Sequence, residues 1–240
     1  MELTTAGKKL YEEISTAVEK IVETDKKYCL SNEILLGTYA TMLSKVLSGS
    51  IAEFYLENKN AKITTITDNS KVLNFPLNSA ELDIAVLRKY NENEYDSSKY
   101  KYISLGNIEF YMIANNKSDL CKKKKIKITD LKDKIMYIPR GDNNSTKALK
   151  KMIEKFSLNN EIKRIDSVSM AQIVQKFDNC VGLANSKYLE KEIEQNKFTV
   201  LDIDFKIPPT EMGIYYRKDN SSVVLKNLVK IIRKNFDYNK

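Results

Sequence analysis

The sequence ILLGTYATML, residues 34–43, begins as a short apolar run and continues into a pattern of apolar residues with helical spacing that extends to Lys59. Such a run before a longer helical pattern predicts a buried strand followed by a helix. The next segments are a strand, a short helix and another strand, at residues 62–67, 71–78 and 82–86. This alternation predicts a parallel sheet with right-handed crossovers.

The same alternation returns later in the chain. Two strands at 100–105 and 109–114, joined by a turn at Gly106-Asn107, come first. Further strands are predicted at 134–139, 162–168, 180–184, 199–203 and 211–217, and helices at 145–156, 169–177, 186–194 and 221–235. Two α/β units with chain crossings near Asn115 and Pro208 predict two lobes with a cleft between them.

The predicted organisation therefore has three parts: a helix over residues 1–30, one lobe made of 31–115 and 209–240, and a second lobe made of 116–208. In the first part, Leu3–Tyr28 carries a heptad seam of small and apolar residues that includes Leu10, Ile14, Ala17 and Ile21. One helix cannot bury such a seam alone. We expect it to mediate dimerisation; docking on its own domain is the alternative.

The composition argues against several classes of function. The 240 residues include no histidine and three scattered cysteines, so we expect neither a metal site nor a histidine general base. Without these groups or paired carboxylates near the cleft, we predict no catalytic residues and no cofactor. The sequence shows no secretory signal and no apolar run long enough to span a membrane, which predicts a cytoplasmic protein.

The net charge of +8 raises the question of nucleic-acid binding. Most lysines are interleaved with acidic residues and asparagine, and the one dense run is Lys122–Lys125, with Lys127 just beyond it. A solvated loop is the favoured interpretation of this run. A phosphate-binding patch is the alternative, although the run has no interleaved aromatic residues of the kind that bind single strands.

Five segments resemble the LysR-type transcription regulators of bacteria, in the order in which that family has them. LTTAGKKLYEEI, residues 3–14, resembles the element where the winged helix-turn-helix ends and the linker helix begins. ILLGTYATML resembles the first strand and helix start of the effector domain. The others are AELDIAVL at 80–87, IPRGDNNST at 138–146, and SVSMAQIVQKF with CVGLANS within 167–186.

The resemblance implies a two-lobed, type II periplasmic-binding-protein-like α/β fold preceded by a linker helix. It also implies a small-molecule effector between the lobes, self-association as a homodimer or tetramer, and DNA binding only through a domain that would precede Met1. The expected function is thus a non-enzymatic ligand sensor. A solute-binding protein of a transport system, with the same architecture, is the alternative, because fold alone does not decide function.

Helix starts that follow strands predict where the effector binds, because their unpaired amides and the positive end of the helix dipole attract anions. The sequence contains three such helix starts. The predicted effector-binding residues are Thr38, Tyr39, Ala40 and Thr41 at the first, Arg140, Asp142, Asn143, Asn144 and Ser145 at the second, and Ser167 and Ser169 at the third.

Several of these residues have a structural alternative. Thr41, Asp142 and one of the two serines can cap the helices that follow them, and Asp142 can instead face an amine of the ligand. Tyr39 either contacts the ligand or lies at the rim of the cleft. Arg140 either binds a carboxylate or forms a salt bridge between the lobes. Arg88, just past the third strand, is a weaker candidate for ligand contact.

Overall fold

The computed structural model describes residues 4, 7, 14, 33–79, 81–140 and 143–237. The strands within these residues are β1 (Glu33–Thr38), β2 (Lys62–Thr67), β3 (Ile84–Arg88), β4 (Tyr100–Ile108), β5 (Phe110–Ala114), β6 (Ile135–Pro139), β7 (Ile162–Ile165), β8 (Cys180–Asn185), β9 (Thr199–Val200) and β10 (Thr210–Arg217). Helix α1 follows β1 and consists of an α-helical turn at Ala40–Met42, a π-helical stretch at Leu43–Leu47 and an α-helix at Ser48–Glu57. The other α-helices are α2 (Ser70–Asn78), α3 (Asn144–Lys155), α4 (Ser167–Lys176), α5 (Ser186–Glu194) and α6 (Val223–Asp237).

The strands form two five-stranded sheets, with the orders β2-β1-β3-β10-β4 and β7-β6-β8-β5-β9. In the first sheet β1, β2 and β3 are parallel, and β10 runs antiparallel to β3 and β4. In the second, β6, β7 and β8 are parallel, and β5 runs antiparallel to β8 and β9. We call the first sheet with α1, α2 and α6 the first lobe, and the second sheet with α3, α4 and α5 the second lobe. The predicted α/β fold class is confirmed.

The first crossing between the sheets lies earlier than the sequence predicted. The expected turn at Gly106-Asn107 is wrong, because β4 continues through both residues and β5 pairs with β8 in the second sheet. Gly106 instead lies at a β-bulge against β10, with a φ of 94° that glycine adopts at little cost. The chain therefore passes between the sheets at Glu109 rather than near Asn115, and β5 belongs to the second lobe. The return passage lies between β9 and β10 and includes Pro208.

The position of each strand explains its sequence. β3 is central in its sheet and is buried along four of its five residues, so it reads as a continuous apolar run. β2 lies at the edge of the same sheet and is mostly exposed. One core cluster joins the two lobes, because Ile34 and Val86 of the first sheet belong to the same packed group as Ile113, Met170 and Val174. The lobes are thus packed against each other.

The structure describes three residues of the predicted N-terminal helix. Gly7 and Ile14 are helical, and the Gly7 amide donates a hydrogen bond of 3.2 Å to Oγ1 of Thr4, the spacing of an N-cap contact. Ile14 is 53% exposed. The other three seam residues, Leu10, Ala17 and Ile21, lie outside the described residues, so the role of this helix in dimerisation stays a prediction.

No helix in the described part of the chain has both the length and the apolar character needed to cross a bilayer.

Candidate functional site

A cavity of about 300 Å³ lies between the two sheets. Its walls come from the carboxyl ends of parallel strands in both lobes and from the helices that follow β1, β2, β6, β7 and β8. This is where ligands bind in open α/β sheets, because the strand ends leave a crevice and the helix starts present free amides. The cavity is therefore the candidate effector site.

The first helix start lines the cavity through Tyr39, Ala40 and Thr41. Tyr39 is the N-cap residue of α1, and no side chain caps the first turn. The hydroxyl of Tyr39 accepts a hydrogen bond of 3.2 Å from the amide of Arg88, which ties this side chain to the end of β3. Burial raises the pKa of Tyr39, so its phenol stays neutral near pH 7.

Thr38 does not reach the cavity, although the sequence predicted it as a ligand contact. Its side chain is fully buried, and Oγ1 donates a hydrogen bond of 2.8 Å to the carbonyl oxygen of Val86 on the neighbouring strand. The register of β1 against β3 pairs Thr38 with Val86, which brings the hydroxyl within reach of that carbonyl oxygen. Thr38 is therefore a structural residue.

A further helix start, after β2, also lines the cavity and was not predicted. Its residues are Thr67, Asp68, Asn69 and Ser70. The side chain of Asn69 accepts hydrogen bonds from the amides of Lys71 and Val72, an N-cap of α2. The signal was present in the sequence, because a strand followed by Asp-Asn-Ser marks a helix start by the same rule that located the other three.

Arg88 lines the cavity, but its hydrogen-bonding groups are largely occupied within the first lobe. Its guanidinium forms a bidentate pair with Glu94, with distances of 2.7 and 3.3 Å, and it also donates to Oγ of Ser70 and to the carbonyl oxygen of Lys89. The hydrogen bond from Arg88 holds the pKa of Glu94 below its ordinary value. Arg88 thus positions the wall of the cavity rather than offering an unpaired charge.

The start of α3 contributes Arg140 and Asn143 to the cavity. Asn143 caps α3, since its Oδ1 accepts a hydrogen bond of 2.8 Å from the Thr146 amide. Arg140 is exposed and has no hydrogen-bond or ion-pair partner among the residues that the structure describes, so the alternative of an inter-lobe salt bridge is not seen there. Asp142 lies outside the described residues, and its predicted role remains untested.

Two other predicted residues of α3 do not line the cavity. Asn144 is exposed elsewhere on the surface. Ser145 is fully buried; its Oγ donates a hydrogen bond of 2.7 Å to the carbonyl oxygen of Pro208 and lies 3.3 Å from Oγ1 of Thr210. Ser145 therefore fixes the return passage of the chain against the second lobe.

The two serines at the start of α4 have different positions relative to the cavity. Ser167 is buried and lines the cavity, and its hydroxyl has no partner among the described residues. The cap of α4 is Asp166, not a serine as the sequence suggested: its Oδ1 accepts from the amides of Val168 and Ser169. The Ser169 amide holds the pKa of Asp166 below its ordinary value. Ser169 serves this cap and does not line the cavity.

The floor and back of the cavity include residues that the sequence did not indicate. Ile108 and Phe110 flank the first crossing, and Thr210 and Met212 follow the second, so both crossing segments contribute to the floor. Tyr188 of α5 is 8% exposed and faces the cavity from the second lobe. Burial raises its pKa, so it is a neutral phenol. No local sequence signal distinguishes these residues from ordinary core positions.

The cavity thus combines an apolar floor with a few polar groups at five helix starts. Pockets of this size and composition hold small molecules, because the apolar wall supplies burial and the polar groups fix orientation. Among the described residues, no three side chains of the metal-ligating types converge.

The family model of the LysR substrate binding domain matches residues 30–237. The fold is similar to that of the CcmR regulatory domain of Synechocystis in complex with 2-PG, with a TM-score of 0.69, 14% identity and coverage of 84% of this chain and 96% of that one. It is also similar to the regulatory domain of MetR, a LysR family regulator of N. meningitidis, with a TM-score of 0.67, 13% identity and coverage of 86% and 95%.

A third solved structure with the same fold is the effector binding domain of BenM with its effector benzoate. The TM-score is 0.64 at 18% identity, over 86% of this chain and 93% of that one. At these identities the likeness shows the fold alone. A search of curated proteins gave no match to this chain.

Proposed function

Because this chain belongs to the LysR substrate binding domain family, we propose that it is the effector-sensing domain of a LysR-type transcription regulator. In this proposal a small polar or anionic molecule binds in the cavity between the lobes, and its binding controls the DNA binding of the full-length protein. The observation that carries the proposal is the cavity itself, which is lined from both lobes by helix starts. A ligand held from both sides stabilises one arrangement of the lobes, which is the requirement for a sensor.

The charges around the cavity support a polar or anionic ligand. Arg88 is paired with Glu94, and the carboxylate of Asp166 accepts two amide hydrogen bonds. Asp68, at the exposed rim, uses one of its oxygens for the amide and side chain of Asn69. Arg140 is the lining cation whose guanidinium is not engaged within the described residues, and it suits a carboxylate or phosphate oxygen.

A thermal-shift screen of small metabolites tests the proposal. A ligand that binds only the folded state stabilises it by about 2.7 kcal/mol at a hundred times its dissociation constant, which shifts the unfolding temperature of a chain of this size by a few degrees. We expect hits among small carboxylates, phosphates or polyols. The matched control is a variant whose cavity is filled: Ser167→Phe should abolish the shift while retaining the circular dichroism of the parent. Equal shifts in both proteins would place the ligand elsewhere.

We further propose that the protein self-associates through its N-terminal helix as a dimer or tetramer. Ile14, a seam residue of this helix, is more than half exposed within one chain, which leaves its apolar surface free for a partner. Replacing Ile14 and Ile21 with Glu places charges in the seam, which is costly if the seam is buried between copies. Light scattering should then show smaller particles than for the parent. The control is a double substitution on the charged face, Glu12→Gln with Glu19→Gln, which should leave particle size unchanged.

The alternative, a solute-binding protein of a transport system, makes different predictions. A sensor should be found in the cytoplasm, attached to a DNA-binding domain, whereas a solute-binding protein should be exported. We also expect that no ligand from the screen is converted to product, because the protein has no histidine and neither of the described cysteines, Cys121 and Cys180, lines the cavity. Chromatography of the ligand after long incubation with the protein checks this expectation.

A further inference from the structure

The excess positive charge of the protein is concentrated in one short segment. Residues 117–134, which we call the lysine segment, contain eight lysines and three aspartates, a net charge of +5 out of +8 for the whole chain. The structure describes every residue of this segment, which joins β5 to β6 on the surface of the second lobe. The charge is therefore a local feature of one surface.

The lysine segment is anchored rather than loose. Leu120, Ile126, Ile128 and Leu131 are buried in the core of the second lobe, and two 3₁₀ turns shape the backbone between them. Ile126 is held by backbone hydrogen bonds of 2.7 and 2.9 Å to the segment that contains Ile203. These four apolar side chains are buried, so the backbone that carries the exposed lysines is anchored to the core.

Most of these lysines have no acidic partner. Lys122 and Lys123 pair with Asp119 and Asp130 at 2.6 and 2.5 Å. The other six have no ion pair with any described residue, and five of these six are exposed: Lys117, Lys124, Lys125, Lys127 and Lys132. Nearby like charges repel each other when no counter-charge is present. The exposed lysines without an ion pair thus concentrate positive charge on this surface, which suits an anionic polymer.

We propose that the lysine segment is a binding surface for the phosphate backbone of duplex DNA, used without regard to sequence. Lysine ammonium groups are point charges that match phosphate oxygens, and each neutralised phosphate releases condensed counterions. This surface is separate from the effector cavity, because none of the segment's residues lines that cavity. It adds affinity for the backbone and does not read an operator.

The composition of the segment favours a DNA backbone over other anionic partners. A protein interface is enriched in apolar anchor residues at its centre, and stable anchoring to a membrane adds an inserted apolar group to the basic residues. None of the large apolar side chains that are exposed in the structure belongs to residues 117–134. The segment also lacks aromatic residues on which single-stranded bases would stack.

The proposal rests on the proposed function in one respect. Contacts from a few lysines are weak at physiological salt, but a regulatory domain that is tethered to a DNA-binding domain meets the neighbouring duplex at a high effective concentration. Under that condition weak, sequence-independent contacts contribute to the affinity of the whole regulator. The isolated chain should therefore bind duplex DNA weakly, with strong salt dependence and without preference for any sequence.

Fluorescence anisotropy with two labelled duplexes of unrelated sequence tests this inference on the 240-residue chain. The test variant carries Lys124→Gln, Lys125→Gln and Lys127→Gln. The control carries Lys151→Gln, Lys176→Gln and Lys230→Gln, three exposed lysines dispersed over the surface, so that both variants have the same net charge. We expect the test variant to bind both duplexes about tenfold or more weakly at low salt, and the slope of log affinity against log salt to fall by about 2–3. The control should change little.

Equal losses in the two variants would overturn the proposal, because binding would then follow net charge and not the segment. Equal or tighter binding of poly-L-glutamate, or of vesicles that contain phosphatidylserine, would also overturn it and would assign the surface to an acidic protein or a membrane. A small molecule that the thermal-shift screen identifies should stabilise the parent, the test variant and the control variant equally. If the screen identifies none for the parent protein, the proposed function is contradicted and the DNA result stands.

Discussion

The two lobes line the same cavity with polar groups in different states. In the first lobe the hydroxyl of Tyr39 and the side chain of Arg88 are both engaged within the lobe, and Ser70 accepts from Arg88. In the second lobe Arg140 and Ser167 have no partner among the described residues. The phenol and the guanidinium in the wall of the first lobe are thus already hydrogen-bonded, whereas the second lobe presents a guanidinium and a hydroxyl that are available to a ligand.

This difference shows that the type of a residue at a helix start does not decide its role. A network of tyrosines behind the wall of the first lobe holds its polar groups in their hydrogen bonds. Tyr215 packs against Tyr90, Tyr95 and Tyr102 at ring-centroid distances of 4.9 to 5.5 Å, and the Tyr215 hydroxyl accepts a hydrogen bond from the Tyr90 amide. Tyr90 in turn donates to the carbonyl oxygen of Ser70. The second lobe has no such cluster behind Arg140 within the described residues.

The largest effect is expected from a substitution that breaks the hydrogen-bond network of the first lobe. Arg88→Met removes the partner of Glu94 and the donor to Ser70, and the Arg88 side chain is 18% exposed. Leaving a partly buried carboxylate without its partner should lower the free energy of unfolding by about 2–4 kcal/mol. Urea denaturation measures the change. Lys122→Met breaks an ion pair that is exposed on both sides and should leave stability unchanged; similar losses in the two variants would mean that the Arg88 pair is not special.

A second prediction uses Arg140, the cavity-lining cation of the second lobe that has no partner among the described residues. Arg140→Gln should weaken the ligand found by the thermal-shift screen by about 1.5–3 kcal/mol, or about ten- to a hundredfold, if that ligand is an anion. Stability without ligand should not change, because Arg140 is exposed and unpaired within the described residues. Calorimetric titration measures affinity, with Lys151→Gln as a control of equal charge change. A retained affinity in Arg140→Gln would assign the anion to another group.

A third prediction compares the removal of one hydroxyl from each lobe. Thr38→Val should cost about 1 kcal/mol of stability, since Oγ1 donates to Val86 inside the sheet, and should leave affinity within about a factor of two. Ser167→Ala should do the reverse, with an affinity loss of about 0.5–1.5 kcal/mol and little change in stability. Both variants are measured by urea denaturation and by titration. Loss of affinity in Thr38→Val alone would contradict the assignment of the free groups to the second lobe.

The smallest effect concerns the cap of α4. Hydrogen bonds from the Ser169 amide hold the folded-state pKa of Asp166 below the ordinary value near 4, so its charge stabilises the protein fully above that value. This contribution is lost as pH falls through the lowered folded-state pKa. Asp166→Asn keeps the cap hydrogen bonds but removes the charge, so it should cost less than about 1 kcal/mol at pH 7. The cost should vanish in the acid limb of a stability–pH curve; a cost that persists there would refute this explanation.

The sequence predicted the elements of the fold well because their signals are local. Helix 186–194 and strand 62–67 were predicted with the bounds that the structure shows, and most other bounds agree within a few residues. The error at Gly106 has a physical reason: a glycine next to asparagine is typical of a turn, but also of a bulge, and only the pairing of β4 with β10 distinguishes them. The same error moved the predicted crossing to Asn115.

Only some of the predicted site residues line the cavity, and the reason is again that local signals do not decide tertiary contacts. Tyr39, Ala40, Thr41, Arg140, Asn143 and Ser167 line the cavity, whereas Thr38, Asn144, Ser145 and Ser169 do not. Being next to a helix start is a property of the sequence, and it placed these residues in the right part of the fold. The direction of each side chain depends on register and on partners, and neither is local.

The sequence by itself determined the order of strands and helices, three of the five helix starts at the cavity, and the lysine segment, because each depends on neighbouring residues. The tertiary structure decided which hydroxyls are free. Thr38 donates to a carbonyl 48 residues away and Ser145 to one 63 residues away, and such partners meet only after the sheets have formed. It also decided the floor of the cavity, because the segments beside Ile108 and Thr210 come together only where the chain crosses twice between the lobes.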